Sequence, residues 1–287
     1  MAGHERRRDR HSKDNATLIF MARKPQLRRN EMKQEILLAM FFLATSAMCV
    51  FAEETNTIVR VPLIGEDAPA FKAETTQGPI NFPNDYKGKW VILFSHPADF
   101  TPVCTTEFMT FATMMPEFEA LNCKLVGLSI DSLYSHIAWL RTIKEKLEFK
   151  GMKNVEVTFP LIVDIKMEIS KKYGMLQPSA DDTKAVRAVF FIDPNGKIRA
   201  LIYYPLSNGR NFQEIKRLLM AMQTSDANKV ATPADWQPGD DVIIPPPGSC
   251  GAAKDRVEKA DKDVKCFDWF FCTKPLPKAL APPPAAK

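Results

Sequence analysis

The sequence predicts an α/β protein in which helices flank a central mixed sheet. Between residues 90 and 130, an apolar run is followed by a segment with apolar residues three and four positions apart, and then by a second apolar run. This is the pattern of a strand, a helix and a strand. In 186–204 the dipeptide Asn195-Gly196 separates two β-rich runs, which is a strong signal for a hairpin. The hairpin would add antiparallel strands to a sheet whose other strands are joined by helices.

The predicted elements follow one another along the body of the chain. Strands are expected at 90–96, 124–130, 159–164, 186–193 and 198–204. Helices are expected at 104–122, 132–147 and 211–223. Pro116 lies inside the first of these helices and is expected to kink it or to divide it in two, because proline cannot donate the intrahelical hydrogen bond.

Positive charge is concentrated at the amino-terminal end. The 39 lysine and arginine residues exceed the 34 acidic residues, which gives a formal net charge of +5. Residues 1–35 hold ten basic and five acidic side chains, so the rest of the chain is neutral by count. This distribution argues against a basic surface for nucleic acid on the folded part. With 45% hydrophobic and 25% charged residues, the body has the composition of an ordinary globular protein.

Residues 1–52 are interpreted as a basic leader that contains a signal peptide. The uncharged run 36–52 follows basic residues and is shorter than the roughly 20 apolar residues of a spanning helix. Val50-Phe51-Ala52 then has the small-residue pattern of a cleavage site, with cleavage after Ala52. We therefore expect an exported protein, periplasmic or secreted, without stable membrane association after cleavage. An uncleaved membrane anchor and a cytoplasmic protein are the alternatives.

The composition changes after residue 224. Ten of the 22 prolines lie in 233–287, and so proline-rich a segment cannot form one compact helical or sheet domain. Residues 53–224 are therefore interpreted as the folded domain. Residues 225–287 are interpreted as an arm that wraps over the core or over a partner subunit, with a proline-rich tail. The DWFFC stretch at 268–272 carries aromatic side chains that need to be buried.

The cysteines indicate thiol chemistry rather than metal binding. Five of the six cysteines lie beyond the leader, and an odd number leaves at least one thiol outside a disulfide framework. The sequence has no C-x-x-C, and only His96 and His136 lie beyond the leader. Neither a zinc site nor a thioredoxin-type dithiol has the residues it requires. No metal and no cofactor are expected.

Cys104 is the most informative of these cysteines. It is expected in the first turn of a helix, where unpaired N–H groups and the positive end of the helix dipole favour a thiolate. Thr101 places a hydroxyl near the sulfur, able to donate to it and to accept from a substrate hydroxyl. Glu107 is expected to complete a capping interaction at the helix start. Cys123 is expected in the core, and Cys250 could pair with another cysteine of the arm.

The segment HPADFTPVCTTEF, at 96–108, resembles the peroxiredoxin active-site motif P-x-x-x-T-x-x-C, because Pro97, Thr101 and Cys104 match it together. The similarity extends over about 60–272. The histidine before the proline, the YPLSNGRN stretch and the long arm resemble the one-cysteine subfamily. This resemblance implies a thioredoxin-like fold with an extended carboxy-terminal arm. It also implies an enzyme that reduces hydrogen peroxide and organic hydroperoxides.

The resemblance implies a role for each site residue. Cys104 would be the peroxidatic cysteine that becomes a sulfenic acid. Thr101 and Arg187 would complete the peroxide pocket, and Pro97 would shield the thiolate from water. Arg210 matches a second arginine that supports the site.

The arm resembles the archaeal and bacterial branch of the subfamily, in which a carboxy-terminal cysteine of the neighbouring subunit resolves the sulfenic acid. Within CFDWFFC, at 266–272, position assigns this role to Cys272, with Cys266 as the second candidate. The alternative is that both cysteines are buried structural residues or form a loop disulfide. Reduction by thioredoxin or a similar dithiol, a homodimer and a decameric ring are further implications of the resemblance.

Two other function classes remain as alternatives. A cysteine hydrolase would use Cys104 with His96 or His136, but no evident motif supplies a third residue that orients either histidine. A redox-sensing holdase or scaffold would need the thiol without significant turnover. His96 either lies near the reactive cysteine and supports it or is a packed, hydrogen-bonded residue. His136 is expected to be a packing residue.

Overall fold

The computed structural model describes residues 60–176, 184–258 and 261–276. The predicted leader with its signal segment, at 1–52, and the end of the proline-rich tail, at 277–287, lie outside the described residues. None of the helices in the described ranges combines the length and apolar character needed to span a bilayer.

The described residues form a series of short strands and five α-helices. The strands are β1 (Phe71–Ala73), β2 (Ile80–Phe82), β3 (Trp90–Ser95), β4 (Cys123–Ser129), β5 (Glu148–Phe149), β6 (Met152–Lys153), β7 (Leu161–Val163), β8 (Arg187–Ile192), β9 (Ile198–Tyr204), β10 (Val242–Ile244), β11 (Lys265–Asp268) and β12 (Phe271–Lys274). The helices are α1 (Pro102–Ala120), α2 (Leu133–Lys146), α3 (Glu168–Lys172), α4 (Phe212–Asn228) and α5 (Cys250–Glu258). Every strand and helix predicted for the body is present. Helix α4 runs past the expected end at 223 and so crosses the predicted start of the arm.

Five strands form the central sheet in the order β7-β4-β3-β8-β9. Strands β3, β4 and β7 pair in parallel and are connected by helices α1 and α2, whereas β8 pairs antiparallel with both β3 and β9. At the β8–β9 turn Gly196 has a φ of 80°, which glycine adopts without strain. The Asp193 carboxylate accepts the N–H groups of Asn195 and Lys197 there. The predicted mixed sheet with its hairpin is confirmed.

Both faces of this sheet are covered, which explains why its strands are continuous apolar runs rather than alternating ones. Because successive side chains of a strand point to opposite faces, β3 contributes to two cores. Ile92 and Phe94 belong to the cluster that includes residues of α1, α2 and α4. Val91 and Leu93 belong to the cluster that includes residues of β1, β2 and α3.

Helix α1 is continuous through Pro116, so the expected division of this helix is wrong. An interior proline costs about 3 kcal/mol. The side chains of Phe111, Met115 and Phe118 are buried on both sides of the proline. Each such burial contributes about 1.5–3 kcal/mol, so tertiary packing outweighs the lost hydrogen bond.

The arm begins on the core of its own chain and then forms a small sheet. Trp236 and Val242 are buried in the cluster that includes α1 and α4. The arm sheet has the order β10-β12-β11. Cys266 and Cys272 lie opposite each other on β11 and β12 and form a disulfide.

The aromatic side chains of 267–271, on β11, β12 and the turn between them, are not buried by the described residues of this chain. Phe267, Trp269 and Phe270 are 57%, 44% and 53% exposed. The expectation that the DWFFC stretch needs burial is therefore not met by the contacts of a single chain.

Gly127 of β4 tests how closely side chains of β3 and β7 pack over the central strand. A Cβ atom on Gly127 would lie 2.9 Å from Cδ1 of Leu161 and 3.2 Å from Cζ of Phe94. Because overpacking a core costs about 1–3 kcal/mol, we expect Gly127→Ala to lower the free energy of unfolding by about that amount in chemical denaturation. Gly251→Ala is the control, since nothing lies within 4 Å of its Cβ position. Equal stability of Gly127→Ala and the wild type would contradict the packing.

Candidate active site

Cys104 lies at the third position of helix α1, as the sequence predicts. Thr101 is the N-cap residue and Pro102 is the first helical residue. The N–H of Thr105 donates to the carbonyl of Thr101 at 3.0 Å. The N–H groups of Val103 and Cys104 precede this bond, so they have no acceptor within the helix.

The Cys104 side chain is fully buried, and Arg187 reaches it from the first position of β8. Nη1 of Arg187 lies 3.3 Å from Sγ of Cys104 and donates to Oε2 of Glu107 at 2.8 Å. Nε and Nη2 donate to the carbonyl of Leu206 at 3.0 and 2.8 Å. These contacts hold the planar guanidinium next to the sulfur before any substrate is present.

Glu107 joins two arginines at this site. Its carboxylate is 1% exposed and accepts, besides the bond from Arg187, the backbone N–H, Nε and Nη2 of Arg210 at 2.9, 3.0 and 2.6 Å. The interpretation of Glu107 as a capping residue is wrong. A capping glutamate belongs at the third helical position, which Cys104 occupies. Residues three apart share a helix face. The sequence therefore did indicate that the Glu107 carboxylate lies one helical turn from the Cys104 thiol, on the same face.

Arg210 also fixes the two central strands next to the cysteine. Its Nη1 donates to the carbonyls of Ser95 and Ala188 at 3.0 and 3.1 Å. Its guanidinium lies 5.2 Å from the ring centroid of Phe94. Arg210 therefore connects the segment before α4 to β3 and β8, and it shares Glu107 with Arg187, which contacts Cys104.

The charges of this cluster do not cancel. Arg187 and Arg210 carry two positive charges, and Glu107 carries one negative charge. A thiolate at Cys104 would make the cluster neutral. Because these side chains are shielded from water, the imbalance is weakly screened. The arrangement therefore stabilises negative charge at and around the sulfur.

Thr101 and Pro97 lie in the loop between β3 and α1. Oγ1 of Thr101 donates to the carbonyl of Ala98 at 2.9 Å. The proton of this hydroxyl is used on Ala98 rather than on the sulfur, and its lone pairs remain to accept from a substrate hydroxyl. Pro97 is buried.

Asp99 anchors the same loop. Its Oδ1 lies 3.0 Å from Nε2 of His96, its Oδ2 lies 2.7 Å from Nδ1 of His136, and its N–H donates to Asp131 at 3.0 Å. Burial raises the pKa of Asp99, but the hydrogen bonds from His136 and His96 together outweigh burial and lower this pKa to about 2. Asp99 thus stays ionised and attaches the loop to α2 and to the end of β4.

His96 is a buried, hydrogen-bonded residue that packs against α1. Its ring stacks on Trp139 with centroids 5.2 Å apart and contacts Phe108 at 4.8 Å. Burial lowers the pKa of His96 more than the bond to Asp99 raises it. The ring is therefore neutral, with its proton on Nε2 facing Asp99, and Nδ1 has no hydrogen-bond partner among the described residues. His136, expected only to pack, also contacts the carbonyl of Ile162.

One grouping of described residues, His96, Asp99 and Asp131, brings possible metal ligands within 4.8 Å of one another. Nε2 of His96, both carboxylate oxygens of Asp99 and Oδ2 of Asp131 are engaged in hydrogen bonds, including a bond from Ser129 to Asp131 at 2.7 Å. Because a cation would have to displace these bonds, the grouping does not fit a metal site.

The other cysteines differ from Cys104 in exposure and partners. Cys123 is buried in β4, and burial raises the pKa of its thiol, so it is an inert core residue. Cys250 is an exposed free thiol at the start of α5, and the suggested pairing with an arm cysteine is not present. Cys266 and Cys272 are bonded to each other. This is the loop disulfide that the sequence left open, and a resolving role for either cysteine requires the reduced pair.

Comparisons with known proteins identify the family. Residues 64–201 match the AhpC/TSA family, and residues 221–260 match the C-terminal domain of 1-Cys peroxiredoxin. A peroxiredoxin of Methanosarcina mazei is 66% identical over 214 residues, which cover 75% of this chain and 98% of the relative. A peroxiredoxin of Aquifex aeolicus is 50% identical over 227 residues, which cover 76% of this chain and 98% of the relative.

Solved structures agree with this match. A yeast mitochondrial 1-Cys peroxiredoxin is 40% identical with a TM-score of 0.65, and the match covers 75% of this chain and 99% of that one. A mutant of peroxiredoxin 6 from Arenicola marina is 34% identical with a TM-score of 0.66, over the same shares of the two chains. The thioredoxin-like fold that the resemblance implied is confirmed. The chain therefore belongs to the peroxiredoxin family and is a peroxidase, an enzyme of the oxidoreductase class.

Proposed function

We propose that this protein reduces hydrogen peroxide and organic hydroperoxides to water and alcohols, with Cys104 as the peroxidatic thiol. The observation that supports this most directly is the guanidinium of Arg187, 3.3 Å from the buried Sγ of Cys104. The thiolate attacks one peroxide oxygen, so that an S–O bond forms while the O–O bond breaks. The departing oxygen takes a proton and leaves as water or alcohol, and Cys104 becomes a sulfenic acid.

Thiol ionisation alone does not account for a dedicated peroxidase. An ordinary thiol with a pKa of about 8.5 is about 3% ionised at pH 7, so complete ionisation gains only about 30-fold. A positioned donor that stabilises developing charge contributes about 10²–10³-fold. Arg187 and the free N–H groups of Val103 and Cys104 are the donors for this purpose.

The remaining site residues bind the peroxide, keep water away or position the groups that react. Thr101 accepts a hydrogen bond from the peroxide hydroxyl, and Pro97 keeps water from the thiolate. Arg210 is a positioning residue, because it holds the carboxylate of Glu107, which in turn holds Arg187. His96 supports the site through its bond to Asp99 in the active-site loop.

The arm completes the catalytic cycle. Cys272 of the neighbouring subunit attacks the sulfenic acid of Cys104, which releases water and forms an intersubunit disulfide. Cys266 then attacks Cys272, which frees the Cys104 thiol and leaves the Cys266–Cys272 disulfide. That pairing is the one present in this structure. Thioredoxin or a similar dithiol reduces it. In the yeast relative, thiol resolution proceeds via glutathione/thioredoxin systems.

The assembly and the location of the protein are part of the same proposal. Resolution by a neighbouring arm requires at least a homodimer, and the resemblance extends this to a decameric ring. The basic leader and the uncharged run 36–52 support export to the periplasm or the exterior, and retention in the cytoplasm is the alternative.

Single-cysteine variants test the order of the disulfides. On a non-reducing gel after one equivalent of hydrogen peroxide, we expect Cys266→Ser to accumulate a disulfide-linked dimer, because the second exchange is blocked. Combining it with Cys104→Ser or Cys272→Ser should abolish the dimer, and combining it with Cys250→Ser should not. A monomer that retains Cys104 as sulfenic acid in Cys266→Ser would show that the arm does not resolve it.

Glu107→Gln tests the shared carboxylate. Removing one partner of a buried ion pair costs about 3–5 kcal/mol, so we expect the free energy of unfolding to fall by about that amount and kcat/KM for hydrogen peroxide to fall with it. Glu214→Gln is the control, because the Glu214 pair with Arg217 is half-exposed and is worth at most about 1 kcal/mol. Similar losses for the two variants would contradict the role of Glu107.

A further inference from the structure

The two sulfurs of the arm disulfide occupy different places in the arm sheet. Cys272 lies on β12, the middle strand between β10 and β11, and is 0% exposed. Cys266 lies on β11, the edge strand of the same sheet, and is partly exposed. A thiolate that approaches from solvent therefore reaches the edge strand first.

We propose that the external dithiol attacks the sulfur of Cys266, so that Cys266 receives electrons from the reductant while Cys272 reacts with the sulfenic acid of Cys104. This inference rests on the proposed function, because it assigns the reducing half of the same cycle. It gives the two arm cysteines separate partners: a second protein for Cys266 and the peroxidatic cysteine for Cys272.

The exchange balances in two steps. In the first, the reductant thiolate forms a bond to Sγ of Cys266, the Cys266–Cys272 bond breaks, and the electron pair leaves on Cys272, which takes up a proton. The sulfur of Cys272 lies 3.5 Å from the carbonyl of Asp268, which can accept the resulting S–H. In the second step, the other thiol of the reductant attacks the reductant's own bonded sulfur and releases Cys266 as a thiol.

Access and leaving-group quality favour different sulfurs. Attack on Cys266 makes the buried Cys272 the leaving thiol, and a buried thiol is a poorer leaving group. Attack on Cys272 requires the arm sheet to open first, because Cys272 is 0% exposed on the middle strand. Cys266 is partly exposed on the edge strand and can be attacked in the folded arm, so access decides for Cys266.

The position of a trapped adduct tests the proposal. The variant Cys104→Ser/Cys250→Ser keeps the arm disulfide and, beyond the leader, only the buried Cys123 besides it. We would react it with a thioredoxin whose second active-site cysteine is replaced by serine, quench with N-ethylmaleimide, and locate both labels by peptide mass spectrometry. We expect most of the adduct to carry the mixed disulfide on Cys266 and the maleimide on Cys272.

Glutathione is used as a second probe under the same conditions, so that the attacked sulfur can be located whichever protein is the natural reductant. Glutathione should also form its mixed disulfide on Cys266. In denaturing urea, the preference for Cys266 over Cys272 should vanish for both probes. Failure of thioredoxin alone to react would count against the proposed reductant while the glutathione adduct still locates the attacked sulfur. Adducts mainly on Cys272, or equally on both cysteines of the folded protein, would overturn the inference.

Discussion

The active site depends on one buried carboxylate shared between two arginines. Glu107 lies one turn from Cys104 on helix α1, and it binds Arg187 from β8 and Arg210 from the segment before α4. The cluster has one positive charge more than it has negative charge, and the thiolate of Cys104 is the group positioned to balance it. The same bonds that connect α1 to the sheet therefore hold a positive group 3.3 Å from the sulfur that we propose to be reactive.

Much of the fold could be predicted because it is encoded locally. Periodic apolar residues identify the strands and helices, and the strand–loop–helix order places Cys104 in a first helical turn. The ion-pair partners of Glu107 could not be predicted, because Arg187 and Arg210 lie 80 and 103 residues away in the sequence. The predicted division of α1 at Pro116 is wrong, because the packing of the helix outweighs the local effect of the proline. The Cys266–Cys272 pairing stayed open because it depends on the register of two strands.

The proposed cycle places its two chemistries in different parts of the molecule. Its oxidation step uses the buried cluster, in which Asp99 fixes the loop before α1 and the two arginines are held in place. Its reduction step uses the arm, where a two-cysteine hairpin lies at a sheet edge. This separation fits the physical demands of each step, since charge stabilisation needs shielding from water and thiol–disulfide exchange needs access.

In the proposed mechanism, Arg187 stabilises the breaking peroxide bond beyond any effect on thiol ionisation. The decisive experiment compares the rates at which Cys104 reacts with hydrogen peroxide and with iodoacetamide, in the wild type and in Arg187→Met. We expect the peroxide rate to fall about 10²–10³-fold, while alkylation, which depends on the thiolate fraction, falls by at most about 30-fold. An equal fall in both rates would show that Arg187 acts only on the ionisation of the thiol.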